Sequence, residues 1–205
     1  MASLPIATVR RIFAAVDAGF EGTVQWRGAS LDRLLDARHA ALVAASVGRL
    51  GALGWKTRVE TTYSIFGERG SIDVLGALPA VQAVLVEEVK SELGSLEETI
   101  RKLDEKVRLV RERIAEAEFG WRPAFVGRLL VLPETTRARG RVALLDPVLR
   151  VAFPDRGPTV RAWLRAPSGG LSGVLFQPEI ATGDIKQDRR GAQRVRCPRA
   201  GEFLP

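Results

Sequence analysis

Apolar residues recur along this chain with two periods, and the places where the period changes mark its elements. In SLPIATVRRIFAAVDA, residues 3–18, Val9, Ile12, Phe13 and Val16 share one helical face, with Ser3 as N-cap and Pro5 in the first turn. FEGTVQW, 20–26, reads as a strand, and Gly28 breaks the pattern. A second helix is expected from Ser30 to Ala52, with Leu31, Leu34, Leu35, Leu42, Val43, Val47 and Leu50 on one stripe and Gly51 and Gly54 closing it. WKTRVETTYSIF, 55–66, alternates and is rich in β-branched and aromatic residues, which predicts a strand. GERG, 67–70, predicts a turn into the apolar run SIDVL. GALP, 76–79, predicts the next turn, and VQAVLVEEVK a third strand.

The longest helical pattern follows. Leu96, Ile100, Leu103, Val107, Val110 and Ile114 are spaced alternately four and three apart, so a helix is expected over Leu96 to Ala117. Glu97/Arg101 and Asp104/Arg108 stand at i, i+4 on its outer face. GRLLVLPE, 127–134, reads as a short buried strand, and 138–153 as a helix interrupted near Pro147. TVRAWLRAP, 159–167, and LSGVLFQP, 171–178, read as two strands joined in a hairpin across PSGG. From Ala181 onward apolar residues thin out and basic ones outnumber acidic ones, the pattern of a basic, disordered tail. The expected fold class is therefore α/β, a mixed central sheet flanked by helices. The expected division is 1–29, 30–178 and 179–205.

Composition narrows the function classes. At 205 residues, 46% apolar and 27% charged, the chain reads as a soluble globular protein. It has no apolar run of membrane-spanning length, and residues 1–20 lack the pattern of a signal peptide, so a cytoplasmic location and no membrane partner are expected. The single cysteine, Cys197, excludes an internal disulfide and fits a reducing compartment. A net charge of +7 points to a polyanionic partner. That signal is diluted, because all but five of the 31 basic residues are arginine, a bias that GC-rich coding also produces. Lysine is the scarcer cation, so Lys90 stands out beside two glutamates. Lysine also shifts its pKa readily where arginine does not.

The chemistry concentrates in residues 70–93. Glu88 and Lys90 are two apart on a strand and so share a face, with Val89 and Glu87 turned the other way. Asp73 lies in the preceding apolar run. Should these runs be neighbours, two carboxylates and an ammonium converge, and burying them is costly unless they are paired or hold a metal. Such a set suits metal-assisted phosphodiester hydrolysis, because Mg²⁺ takes hard oxygens from one or two carboxylates plus waters and phosphate. The carbonyl of Val89 would be a further ligand.

Asp73, fourteen intervening residues, then Glu88-Val89-Lys90 resembles the D…(D/E)xK signature of the PD-(D/E)XK, or restriction-endonuclease-like, superfamily. The expected order over residues 31–133 is similar to the αβββαβ core of that fold. The resemblance implies a Mg²⁺-dependent nuclease, with Mn²⁺ as substitute, acting on DNA. Asp73 and Glu88 would bind metal with Val89, and Lys90 would be the catalytic lysine. It also suggests Glu60 as an upstream carboxylate and Lys102 or Lys106 as a polar residue from the following helix. Arg69 and Gly70 would lie along the nucleic-acid backbone.

GERGSIDVL, EVK and ETIRKLDEKVRL further resemble bacterial transcriptional regulators in which a helix-turn-helix precedes a nuclease-like domain. Residues 1–29 would then be a remnant of the first module. The alternative function implied is a non-catalytic DNA-binding regulator with an unused site, and a homodimer is compatible with either reading. The sequence departs from the pattern at Ile72, where the family often has proline, and at Glu87, where its members tend to be apolar.

Blander readings stand beside these. Glu60 reads more readily as a surface strand residue than as a ligand, Lys102 and Lys106 equally as a solvated face at i, i+4, and Gly70 more readily as a turn glycine. His39, the only histidine, reads as structural, and Trp26, Trp55, Trp121 and Trp163 as core. The chain has no GxxxxGK loop and no CxxC pair to support an NTPase, zinc-finger or redox reading.

Overall fold

A computed structural model of the chain describes residues 29–178 together with 8, 11 and 13–15. Thr8, Arg11, Phe13 and Ala14 are helical and Ala15 is a turn; the rest of the expected first helix, the 20–26 strand with Trp26, and the basic tail with Cys197 lie outside the described residues. Helix α1 spans Ala29–Ala52, and β1 (Lys56–Ile65) and β2 (Glu68–Leu78) form a hairpin. A short 3₁₀ turn, Pro79–Val81, leads into β3 (Ala83–Val89). Helix α2 (Leu96–Leu109) runs through a π-helical stretch, Val110–Ile114, into α3 (Ala115–Phe119). Then come β4 (Phe125–Pro133), α4 (Thr136–Leu144), α5 (Asp146–Ala152), α6 (Gly157–Arg165) and β5 (Leu171–Gln177).

The five strands form one open sheet in sequence order, β1 to β5. β1, β2 and β3 are antiparallel neighbours, whereas β3, β4 and β5 run parallel. A parallel pair needs a crossover. The long helix supplies the first, and α4 to α6 supply the second. The sheet is mixed and flanked by helices, as the alternation of patterns implied.

Apolar side chains fill both faces. One cluster joins Ile72, Leu75, Val84 and Val86 to Leu103, Leu109 and Val110 of the long helix and to Leu149 and Phe153. The other joins Val74, Leu85, Val89 and Leu129 to Leu42 and Leu50 of α1 and to Val160, Trp163 and Leu164 of α6. The second crossover therefore starts on one face and ends on the other. No helix among the described residues is long and apolar enough to cross a membrane.

Residues 159–167 are not a strand. Val160, Trp163 and Leu164 are spaced for a helix face, and Gly157-Pro158 opens α6 with proline in its first turn. The expected hairpin across PSGG is replaced by a parallel pairing, Gly127↔Leu171 through Pro133↔Gln177. α6 packs flat because β4 and β5 carry glycines beneath it. A Cβ on Gly127 would lie 2.7 Å from the Trp163 ring, and one on Gly173 would lie 2.6 Å from Val160. Trp55 and Trp163 are core, and Trp55 Nε1 donates to the carbonyl of Leu164 at 2.8 Å. Trp121 is only half-buried, stacked on Phe119.

Two turns move. The β1–β2 turn is Phe66-Gly67, both with positive φ, the two-residue hairpin geometry. Gly70 is thus a strand glycine facing Tyr63, whose hydroxyl lies 2.5 Å from where a Cβ would stand. Gly76 is likewise inside β2, and the chain turns at Pro79–Gln82 instead.

Gly127→Ala drives a methyl into Trp163 and is expected to cost about 1–3 kcal/mol. Urea denaturation checks this; a loss below about 0.5 kcal/mol would show that α6 is free to lift.

Candidate active site

β3 is buried along its whole length, yet it carries consecutive glutamates. Strand alternation sends them to opposite faces. Glu87 points toward α1, where Arg49 Nη2 lies 2.6 Å from its Oε1. Arg49 and Ser46 also reach the side-chain oxygen of Gln177 at the end of β5, and Gln177 Nε2 donates to the Leu42 carbonyl at 2.9 Å. Burial nevertheless dominates and raises the Glu87 pKa, and its second oxygen has no hydrogen-bond partner among the described residues.

Glu88 points the other way and meets two ammonium groups. Lys106 Nζ bonds its Oε2, and Lys90 Nζ lies 2.8 Å from its Oε1. Burial alone would raise the Glu88 pKa, but the two lysines more than offset it and the net direction is down. Burial is the largest single influence on the Lys90 ammonium and opposes it. The hydrogen bond and charge of Glu88, together with the charges of Asp73 and Glu98, outweigh it, so Lys90 is held more firmly protonated than usual.

Asp73 arrives from β2 where the sheet's pairing lapses. The β2–β3 ladder stops at Val74↔Glu87, and the β1–β2 register passes from Val59↔Val74 to Thr61↔Ile72, skipping Glu60 and Asp73. Side-chain alternation slips at the same point, since Ile72 and Leu75 belong to one core and Val74 to the other. Asp73 Oδ2 accepts the N–H of Val89 at 2.7 Å, in place of a backbone carbonyl. Because a strand residue turns its N–H and C=O to the same edge, the Val89 carbonyl faces the same gap. Burial, and then the neighbouring Glu88 charge, raise the Asp73 pKa, against the lowering effects of the Val89 N–H, Lys106 and His39.

Asp73, Val89 and Lys90 line a cleft of about 300 Å³ with Asp36 and His39 of α1 and Glu92. His39, expected to be structural, is therefore at the cleft. Only the docking of α1 across the strand ends brings it there, which its helical spacing did not reveal. Asp36 and Arg49 were missed for the same reason.

The other sequence candidates separate. Lys106 is buried and bonded to Glu88, not part of a solvated face, whereas Lys102 is exposed and paired with Glu98 at 2.8 Å. Glu60 is exposed and opposite Asp73, with φ of 50°, a left-handed conformation costly for a non-glycine residue. Arg69 and Gly70 lie farther up β2 and do not line the cleft. Glu87 is buried and ion-paired.

Among the described residues no group of three or more His, Cys, Asp or Glu could hold a metal ion. The donor set present is two carboxylates and a carbonyl, which fits a hard divalent cation that keeps several waters. Burial first, and then the Glu88 charge, disfavour an ionised Asp73, a cost that a bound cation would relieve. A scan against protein-family models and a search of curated proteins both return no match.

Two outcomes are expected. The folded pKa of Glu88 is depressed, so its ionised form contributes stability above its unfolded pKa that is lost as pH falls through the folded one. Lys106→Met leaves burial opposed by Lys90 alone. It is expected to cost about 3–5 kcal/mol near neutrality and less on acidification. A pH–stability curve merely parallel to the wild type would refute this. Asp73 has the opposite sign: its raised pKa makes the ionised carboxylate a net cost above that pKa. Asp73→Asn, which keeps an oxygen for the Val89 N–H, is expected to melt above the wild type at pH 8. The gap should close as pH falls, and calorimetry across pH checks both variants.

Proposed function

We propose that this chain is a metal-dependent nuclease that hydrolyses DNA phosphodiester bonds, with a core of the restriction-endonuclease-like kind. One observation carries the reading: Asp73, Glu88 and Lys90 converge where the β2–β3 ladder ends, beside an open cleft. The α1–β1–β2–β3–α2–β4 order also matches the αβββαβ pattern that the D…(D/E)xK resemblance implies.

Asp73 and Glu88, with the Val89 carbonyl, would hold Mg²⁺ or Mn²⁺. The bound ion supplies charge neutralisation at the phosphate and a more acidic water. The residues divide the remaining work. Asp73 gives up its proton more reluctantly than an ordinary aspartate, so activity should climb with pH as that carboxyl ionises. Lys90, firmly protonated, cannot serve as a base near neutrality. Its role is to donate hydrogen bonds, orienting the attacking water and stabilising charge on the pentavalent phosphorus. Lys106 is a positioning residue, fixing the Glu88 carboxylate from behind.

A second reading is favoured by a different observation. Both Glu88 oxygens are already held by ammonium groups, so a metal must compete with Lys90 or Lys106. That saturation suits a DNA-binding regulator that keeps the constellation as internal ion pairing.

The purified chain should nick or cut DNA in Mg²⁺ or Mn²⁺ and be inert in EDTA. Lys90→Ala should lower the rate about 10²–10³-fold, the usual effect of removing one transition-state donor. If the wild type cuts neither single- nor double-stranded DNA, the regulator reading stands in its place, with metal-independent binding that weakens steeply with salt.

A further inference from the structure

A larger cleft, about 560 Å³, opens next to the first and shares Ser91 and Glu92 with it. Its walls are unequal in character. Arg38, Arg137 and Arg141 bring three guanidinium groups against one carboxylate, Glu92, which Arg137 meets at 3.1 Å. Leu93 and Leu144 give it an apolar side, and Leu144 is 78% exposed although it is large and aliphatic. Arg137, Arg141 and Leu144 stand at i, i+4 and i+7, so one face of α4 forms that wall.

Gly140 lies on the same wall, in the interior of α4. Glycine is the least favourable ordinary residue in a helix after proline. Internal packing does not require it here, since a Cβ at this position would have no atom within 4 Å. The missing side chain leaves open room on the cleft wall. Guanidinium groups, which match phosphate geometry, together with an apolar side and open backbone suit a group with an anionic edge and a flat apolar body.

The geometry points to this cleft as the seat of one unpaired nucleotide of a DNA strand, flanking the phosphate that lies at Asp73 and Lys90. The inference rests on the nuclease reading for which phosphate is cut, but not for binding itself. Its volume is that of a site enclosing one small organic ligand. A base stacked and paired inside a duplex cannot enter such a space, so the substrate class is single-stranded DNA, or duplex with an unpaired or frayed nucleotide.

Fluorescence anisotropy with a labelled single-stranded oligonucleotide, in EDTA, tests this without any cleavage. Arg137→Ala/Arg141→Ala should weaken binding at least tenfold and make the salt slope shallower by about 0.7 for each phosphate no longer neutralised. Gly140→Ala should melt no lower than the wild type yet bind the strand at least fivefold more weakly, an effect that misfolding cannot produce. A fully paired duplex of the same sequence should bind more weakly and respond less to both changes.

Unchanged single-strand affinity in these variants overturns the proposal, as does equal loss for strand and duplex. A deoxynucleoside monophosphate binding as tightly as the oligonucleotide would also overturn it, because it marks a metabolite site instead. The two readings fail separately. Strand binding through the arginines with no metal-dependent cutting sinks only the nuclease reading, and cutting with normal affinity in both variants sinks only this one.

Discussion

Everything at the centre of this molecule is arranged around two consecutive carboxylates on its most buried strand. Glu87 and Glu88 cannot both face one side of β3, and neither side offers water. Each must find a cation, and the helix on its own face supplies one: Arg49 from α1 and Lys106 from the long helix. Removing an ion from water costs several kcal/mol even after relaxation, which a good partner only roughly offsets. We read these pairs less as a net gain in stability than as a device of register. An apolar stripe lets a helix slide or roll by a residue with little penalty, whereas a helix that must deliver one guanidinium or one ammonium to a fixed carboxylate has a single seat.

The two pairs are not equivalent, and the difference follows from how many partners each carboxylate has. Glu88 has two lysines and is held ionised. Glu87 has one arginine, shared with Gln177, and an oxygen left without a partner among the described residues, so burial prevails. Asp73 accepts a backbone N–H and feels the Lys106 charge, yet burial and then the Glu88 charge prevail and its pKa rises. Positive charge is thus sufficient at Glu88 and deficient at Asp73. The aspartate is the less compensated of the two carboxylates, in the gap where β2 has stopped pairing with β3.

Much of this was legible in the sequence because strands have a strict period. That Glu88 and Lys90 share a face and Glu87 opposes them follows from alternation alone, and Asp73 joins them because a hairpin brings β2 beside β3. The misses have two physical origins. Residues 159–167 are few and mostly apolar or basic, and at that length helix and strand patterns overlap; the decisive signal was Gly157-Pro158 at the start. Reading two strands there forced a hairpin, whereas a helix in the same place makes a crossover and turns β5 parallel. Arg49 and Asp36 escaped notice, and His39 was read as structural, for a different reason. A helix's own spacing shows which residues share a stripe, but not which strand ends the stripe will cover.

The parallel half of the sheet explains why both clefts occupy one edge. β3, β4 and β5 all finish there, in the register Val89↔Val131 and Pro133↔Gln177. Their following segments, with Lys90 and Ser91 after β3 and Thr135 capping α4 after β4, are therefore neighbours, as at the carboxyl ends of strands in open α/β sheets generally. The antiparallel β2 runs the other way and reaches that edge with its early residues. The middle of β2 therefore meets the end of β3, and Asp73 is the carboxylate there that bonds to it. The sheet's mixed character thus has a chemical consequence. An all-parallel sheet would gather only strand ends, whereas the reversal at β2 lets a mid-strand aspartate share a gap with the terminal Glu88-Val89-Lys90.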